Sequence, residues 1–210
     1  MKKIFAVAAL FACVVAANAQ QMGAIGGMTS SSIDGGKSDS KNIMLYHAGV
    51  VWKADLGAGF AIQPVLTYQV KGADLKQNND VQSRTGYAEF GFGAQWGLDL
   101  LAFRPFVFAE PFVGYAVTGK EKLLISGTGT TSESINKALA EAKNKLEYGF
   151  GVGAGLEITS HIQLSCQWFK NLGTLYKDGE LNTGDLQDIK SSYNNLKNYS
   201  GIKFSLAILF

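Results

Sequence analysis

The stretch that decides the fold is the C-terminal segment YSGIKFSLAILF, residues 199–210. Large apolar side chains recur at every second position from Ile202 to Phe210, and small or polar residues fill most of the alternate positions. This period of two indicates a β-strand with one apolar and one polar face. A soluble sheet would bury the apolar face in a core, whereas a membrane barrel turns it toward lipid.

The same alternation recurs along almost the whole chain and is weakest in the first segment. The predicted strands are residues 22–33, 44–56, 60–71, 87–98, 104–118, 147–158, 163–171 and 199–210. After residue 20, no apolar run approaches the roughly 20 residues that a transmembrane helix needs. The sequence therefore predicts an all-β fold, an eight-stranded antiparallel up-and-down transmembrane β-barrel.

Short and long connections alternate between these strands. The short ones are residues 57–59, 99–101 and 160–161, and the long polar ones are 34–42, 72–85, 119–146 and 173–198. Outer-membrane barrels have this arrangement, with short periplasmic turns and long external loops. Apolar residues at helical spacing between residues 132 and 146 predict a short amphipathic helix at the rim. The last loop lacks the regular spacing of a calcium motif.

The N-terminus predicts export. Lys2 and Lys3 precede an apolar run from residue 4 to 17, which ends in the small and polar residues 18–20. This is the pattern of a signal peptide, and we expect residues 1–20 to be removed by cleavage after Ala19 or Gln20. The alternatives are a retained anchor, for which the run is short, and a lipoprotein site at Cys13. The mature protein then comprises residues 21–210, and we expect it to lie in the cell outer membrane.

Composition excludes several classes of protein. The chain has 19 basic and 17 acidic residues, and two of the basic ones lie in the signal peptide, so the mature protein is formally neutral. A neutral chain has no electrostatic footprint for nucleic acid. The mature chain keeps one cysteine, Cys166, and therefore forms no internal disulfide. Its length of about 190 residues favours one domain.

Outward-facing aromatic residues are predicted near both ends of the strands, where they would form two interfacial girdles. The girdle toward the short turns contains Trp52, Phe60, Trp96, Phe103 and Phe210, and the girdle toward the long loops contains Tyr46, Tyr68, Tyr115, Tyr148 and Trp168. Glycines alternate along the inward face of residues 149–155, where they leave room for large neighbours. Pro64 and Pro111 fall inside predicted strands, so local bulges are expected there.

Five charged side chains are predicted to face the lumen: Lys53, Arg104, Glu110, Glu157 and Lys203. An eight-stranded barrel is just wide enough for side chains to fill, so these charges should pair. We expect Arg104 to meet Glu157 near the short turns and Glu110 to meet Lys203 at mid-height. A lumen filled in this way is not an open pore. The alternative is a hydrated lumen with unpaired charges.

The sequence contains few residues in positions suited to catalysis or metal binding. His47 is predicted to face inward near the external rim, within reach of Glu89 or a loop serine, and His161 lies in a short turn. Barrel hydrolases need a histidine, a serine and a carboxylate together, which the sequence does not place. Two isolated histidines and an outward Cys166 have no metal-ligand spacing, so no metal or cofactor is expected. The alternating glycines lack the strand-to-helix turn of a phosphate loop.

The order of several loose motifs resembles the small porin-like outer membrane protein β-barrel domain family. The motifs are QPVLTYQVKG (63–72), RPFVFA (104–109), GFGVGAGLE (149–157) and the terminal Phe210. The resemblance spans nearly the whole mature chain and brings no catalytic residues. Glu110 stands where the family usually has glycine, so packing around it is expected to differ. Phe210 resembles the C-terminal signal read by the barrel assembly machinery, which implies that machinery and periplasmic chaperones as partners.

Together these features predict a monomeric integral outer-membrane barrel surrounded by lipid, with a structural or surface-interaction role and no enzymatic activity. The second hypothesis is a small porin for passive diffusion of solutes. The third is a lipid-modifying barrel enzyme. Occupancy of the lumen separates the first two hypotheses, and a histidine, serine and carboxylate together at the external rim would indicate the third.

Overall fold

Nine strands form one antiparallel sheet in the computed structural model, which describes residues 20–34, 40–41, 43–77, 79–124, 145–172 and 198–210. The strands are β1 (Gln20–Asp34), β2 (Ser40–Lys41), β3 (Ile43–Gly57), β4 (Phe60–Gln77), β5 (Asn79–Gly97), β6 (Phe103–Leu124), β7 (Leu146–Ile158), β8 (Ile162–Asn171) and β9 (Asn198–Leu209). β2 has only two residues and pairs with β4. The other eight strands form the barrel wall.

The wall is closed because the first strand pairs with the last. β1 pairs with β3 on one side and with β9 on the other, and β4 also pairs with β5, so every wall strand has two neighbours. At the end of this seam the amide of Phe210 donates to the carbonyl of Met22 at 2.8 Å. The predicted eight-stranded antiparallel barrel is confirmed.

Among the residues described, no helix is both long and apolar enough to cross a membrane.

The two ends of the barrel differ. The connections between β3 and β4, β5 and β6, and β7 and β8 are the short turns predicted from the sequence. The prediction of a loop at 72–85 is wrong, because β4 and β5 continue as a paired hairpin to Gln77 and Asn79. Likewise, residues 119–124 belong to β6 and not to a loop. We call these two ends the short-turn end and the long-loop end.

Several sequence predictions fall outside the described residues. These are residues 1–19 of the signal peptide predicted over 1–20, most of the rim helix predicted at 132–146, and nearly all of the fourth loop at 173–198. They remain predictions.

The outward face is apolar, as expected of a surface in contact with lipid. Nine of the ten predicted girdle residues are exposed, and Trp52 is partly buried. Cys166 also faces outward. The alternation of inward and outward side chains on β6 is interrupted at Val117. This residue has no partner on β5, because consecutive β5 residues pair with Ala116 and Thr118. This irregularity turns Thr118 outward, where its hydroxyl lies 2.7 Å from that of Tyr68.

The expected bulges at the two prolines are wrong. The register between β4 and β5 is continuous through Pro64, and that between β6 and β7 is continuous through Pro111. The register shifts lie elsewhere, between Asp55 and Gly57 and beside Gly86. A proline in a strand lacks only its own backbone N–H group, so one hydrogen bond to the neighbouring strand on one side is lost. The register with the strand on the other side need not change.

Glycines on the inward face of β7 make room for aromatic rings from β6, as predicted. A Cβ atom on Gly153 would lie 2.7 Å from the ring of Phe108, and one on Gly149 would lie 2.5 Å from the ring of Phe112. The β6–β7 register aligns these strands so that the rings cover the glycines. Inward phenylalanines, unexpected on a polar face, therefore fill space that the neighbouring strand leaves empty.

We predict that Gly153→Ala destabilises the barrel by about 1–3 kcal/mol, since a new methyl group there meets both the Phe108 ring and the backbone carbonyl of Cys166. The control is Gly26→Ala, since a Cβ atom there would lie 3.5 Å from its nearest non-adjacent atom, the backbone carbonyl oxygen of His47, which is an ordinary contact distance. The free energy of unfolding in urea, followed by tryptophan fluorescence in lipid, measures both. Equal losses for the two variants would contradict the packing argument.

Candidate functional site: the barrel lumen

The lumen holds a balanced set of charges. Among the described side chains, four basic and four acidic residues are buried inside the barrel. They are Lys53, Lys71, Arg104 and Lys203, and Glu89, Glu110, Glu147 and Glu157. Because charges buried without partners are strongly unfavourable, this equality makes mutual pairing the central feature of the lumen.

At the short-turn end, five side chains from five successive strands form a closed hydrogen-bonded circuit, which we call the polar ring. Its members are Gln63 (β4), Gln95 (β5), Arg104 (β6), Glu157 (β7) and Gln163 (β8). Gln163 donates to Glu157 and accepts from Gln63, both at 2.9 Å, and Gln63 in turn accepts from Gln95. Arg104 closes the circuit by donating to Gln95 and Glu157 at 3.5 Å.

Two contacts of the polar ring cross the full width of the barrel. β4 and β8 lie four strands apart in either direction around the wall, and the Gln63–Gln163 hydrogen bond joins them. β3 and β7 are likewise opposite, and the ammonium group of Lys53 lies 2.9 Å from Glu157. Direct contact across the diameter means that side chains occupy the lumen at this level.

The middle of the lumen contains the second expected ion pair. Lys203 lies 3.3 Å from Glu110, which also accepts a hydrogen bond from Gln167 at 3.0 Å. Glu110 fits there because the neighbouring β5 carries Gly91, where a Cβ atom would lie 2.9 Å from the Glu110 carboxyl carbon. The two pairs expected from the sequence, Arg104–Glu157 and Glu110–Lys203, are therefore both present.

At the long-loop end, a fully buried lysine is surrounded by polar partners, and we call this group the lysine cage. The Lys71 ammonium lies 2.7 Å from Glu89 and 2.8 Å from Glu147, and 3.4 Å from the side-chain oxygen of Asn171. Asn171 also donates to Glu147 at 2.6 Å. The cage therefore connects β4, β5, β7 and β8.

Aromatic rings complete the lysine cage. The Lys71 ammonium lies 4.5 Å from the ring centroid of Phe112, 5.1 Å from that of Phe169 and 5.5 Å from that of Tyr87. These distances fall within cation–π range. The three rings and Tyr199 form one buried cluster. The cage thus closes this end of the lumen with both charge pairing and apolar packing.

His47 faces inward as predicted, but it lies within the lumen and not at a rim. Its ring nitrogens are 3.0 Å from the hydroxyls of Thr29 and Ser205. The serine belongs to β9 and not to a loop, and Thr29 stands where a hydrolase would place a carboxylate. His161 is exposed in its turn, as expected.

The cavity beside His47 has a volume of about 30 Å³, which is room for roughly two water molecules. It lies between the polar ring and the Glu110–Lys203 pair, and Ser205 also lines it. The side-chain oxygen of Gln167, another lining residue, is buried without a hydrogen-bond partner. A volume this small holds water and not a lipid or a sugar.

Sequence reasoning omitted three of the eight lumen charges: Lys71, Glu89 and Glu147. All three occupy polar-face positions of predicted strands, so the period of two was sufficient to find them. Without them the predicted lumen contained three basic and two acidic residues. With them the numbers of basic and acidic residues in the lumen are equal. Counting every charge on the polar faces would have revealed this balance. The described residues contain no cluster of three or more side chains suited to hold a metal ion.

The sequence matches a known protein family whose description agrees with the fold. The family described as outer membrane protein beta-barrel domain matches residues 17–176. This chain belongs to that family. It is accordingly an outer-membrane β-barrel protein. No curated protein matches the sequence.

Several solved structures are similar to this barrel. Neisserial surface protein A (NspA) has 11% identity and a TM-score of 0.46, over 91% of this chain and 97% of that one. The outer membrane enzyme PagL has 11% identity and a TM-score of 0.46, over 90% and 99%. Ail, the attachment invasion locus protein of Yersinia pestis, has 8% identity and a TM-score of 0.44, over 91% and 97%. No activity of this chain follows from these likenesses.

We predict that Lys71→Met lowers the free energy of unfolding by about 3–5 kcal/mol, because it leaves two buried carboxylates without their shared cation. Adding Glu147→Gln should recover part of this loss by removing one of the carboxylates. Lys145→Met, the same change at an exposed position, is the control and should have little effect. Urea titration in lipid measures all three. A small effect at Lys71 would mean that the cage is hydrated.

Proposed function

We propose that this protein is a closed, non-conducting, monomeric outer-membrane barrel with a structural or surface-interaction role. The observation that carries the proposal is the occupied lumen. The polar ring crosses the full diameter at the short-turn end, and the lysine cage closes the long-loop end. The Phe210 terminus serves as the signal for the barrel assembly machinery, and lipid surrounds the wall.

Electroneutrality of the lumen supports the closed barrel over a small porin. A conducting pore uses a hydrated lumen whose polar side chains remain free to interact with passing solutes. Here the charged side chains form ion pairs with one another, and four of these pairs, with N–O distances of 2.7 to 3.3 Å, are distributed along the barrel. A solute would have to break several buried ion pairs in succession to pass.

The shape of the long-loop end supports a surface-interaction role. β6 continues nine residues beyond Tyr115, which pairs with the first residue of β7, and β4 and β5 continue alongside it. At about 3.3 Å per residue this extension is on the order of 30 Å long. These three strands, together with β2 on the edge of β4, form an arm that projects from the barrel at the end where outer-membrane barrels face the outside. A projecting sheet of this size offers surface to an external partner.

The geometry around His47 supports a barrel without hydrolytic activity. Ser205 and His47 are within hydrogen-bond distance, as a nucleophile and its base would be. However, the second nitrogen of His47 contacts Thr29 and not a carboxylate. The pair also lines a cavity of about 30 Å³ inside the barrel, far too small for an acyl chain. A lipid substrate would reach neither atom.

Conductance in planar bilayers tests the closed barrel. We expect protein purified from outer membranes, folded as judged by its change in electrophoretic mobility on boiling, to give no steady current. A variant that removes one ion pair at each of the three levels, combining Lys53→Ala with Glu157→Ala, Glu110→Ala with Lys203→Ala, and Lys71→Ala with Glu147→Ala, keeps the lumen neutral and should conduct. This variant shows that the assay detects a path through the barrel. Steady current through the wild-type protein would instead favour the porin.

A fluorophosphonate probe tests the absence of hydrolase chemistry. We expect no labelling of the folded protein, because Ser205 is buried in the lumen beside a cavity of about 30 Å³, which is too small to admit the probe. Ser205→Ala and the matched variant Ser165→Ala, which alters another cavity-lining serine without a contact to His47, should behave alike. Labelling that disappears only in Ser205→Ala would favour the enzyme.

A further inference from the structure

The three short turns differ sharply in chemistry. The β3–β4 turn consists of Gly57, Ala58 and Gly59, and the β7–β8 turn spans the polar residues 159–161. The β5–β6 connection is instead rich in leucine, and we call residues 98–103 the apolar turn. Within it Leu98, Leu100 and Phe103 are more than half exposed, and Leu101 is fully exposed. A turn that projects into water would not normally carry four large apolar side chains.

The tip of the apolar turn is also conformationally strained. Leu100 and Phe103 exchange two backbone hydrogen bonds of 2.9 and 2.7 Å, so Leu101 and Ala102 form a two-residue hairpin loop. Leu101 has a φ of +35°, a region that costs an ordinary side chain about 1–2 kcal/mol. The other two short turns also place ordinary residues at positive φ, with Ala58 at +53°, Thr159 at +51° and Ser160 at +58°. A positive φ is therefore common to the three short turns, and the apolar turn differs from the other two in its large exposed side chains.

The apolar side of this turn is continuous with the lipid-facing wall. Trp96, Leu98 and Leu100 occupy alternate positions and are all exposed, and Phe103 pairs with Leu100. The one acidic residue, Asp99, turns toward the barrel mouth, where it lies 3.3 Å from Arg104. The turn therefore separates its polar and apolar groups along the boundary between the lumen and lipid.

The length of the apolar face on β5 agrees with this placement. From Phe90, the first large apolar side chain on the outward face of β5 among the side chains described, to Leu100 is eleven residues. A tilted transmembrane strand crosses the hydrocarbon layer in about 9–11 residues. The membrane boundary on this side of the barrel therefore reaches the turn itself.

We propose that the apolar turn inserts into the periplasmic leaflet and anchors the barrel on its β5–β6 side, with phospholipid as the partner. Leu101 enters the interfacial region, where apolar side chains are favourable, while Asp99 remains at the aqueous mouth. The burial of Leu101 in lipid offsets the strain of its backbone. The other two short turns remain in water, so the anchor is confined to one side of the barrel.

An environment-sensitive fluorophore at the tip of each turn tests the anchor. In a background without Cys13 and Cys166, Leu101→Cys and the matched control Ala58→Cys carry the same label; both positions are exposed turn tips with positive φ. The proteins are placed in nanodiscs of phosphatidylethanolamine and phosphatidylglycerol, which leave both faces open to iodide. Each variant must first show the heat-dependent mobility change of the folded barrel.

We expect blue-shifted emission at position 101, quenching by iodide several-fold weaker than at position 58, and quenching by lipids labelled near the headgroup. Iodide quenching equal to that at position 58 would overturn the proposal, since the turn would then lie in water. Protection from iodide without quenching by labelled lipids would also overturn it, because contact with protein would then be the cause. Both outcomes leave the closed lumen untouched.

Discussion

The whole molecule depends on the pairing of the backbone in a medium without water. In lipid each peptide group needs a partner within the protein, so a sheet in the membrane cannot leave an edge open. The pairing of β1 with β9 meets this requirement by joining the two ends of the wall. Closure with eight strands then fixes a narrow interior. Side chains from opposite strands must consequently touch, and the chemistry of the lumen follows from this contact.

A narrow lumen lined by alternating residues could be filled with apolar side chains, yet here it is filled largely with charge. The polar ring, the Glu110–Lys203 pair and the lysine cage succeed one another along the barrel. Each joins strands that are distant around the wall. Such contacts depend on the side chains being placed correctly, because a buried charge without its partner is strongly unfavourable. The set of pairs therefore helps to specify one arrangement of the barrel.

Large and small residues are divided between neighbouring strands. The rings of Phe106, Phe108 and Phe112 on β6 lie over glycines of β7, and Glu110 lies against Gly91 of β5. One strand supplies bulk where the next has none, and this complementarity fills the interior without widening it. The outer surface needs no such matching because lipid is fluid. It varies instead along the axis, from aromatic girdles to the apolar turn at one end and the projecting arm at the other.

The sequence by itself determined the number of strands, their facing and the short turns, because lipid on one side and a polar lumen on the other impose a period of two. It also identified five lumen charges and two of their pairs. It did not reveal that β4, β5 and β6 continue past the predicted loop boundaries. Residues 72–85 have no apolar alternation in the sequence, so the period of two did not mark them as strand, although the backbone pairing of β4 with β5 continues through them.

The hydrogen bonds of the polar ring, the lysine cage and the contacts of His47 were likewise decided only by the tertiary structure. Their members are far apart in the chain, and Gln63 and Gln163 meet across the barrel although 100 residues separate them. Alternation shows that a side chain points inward, but the closure and register of the wall decide which inward side chains meet.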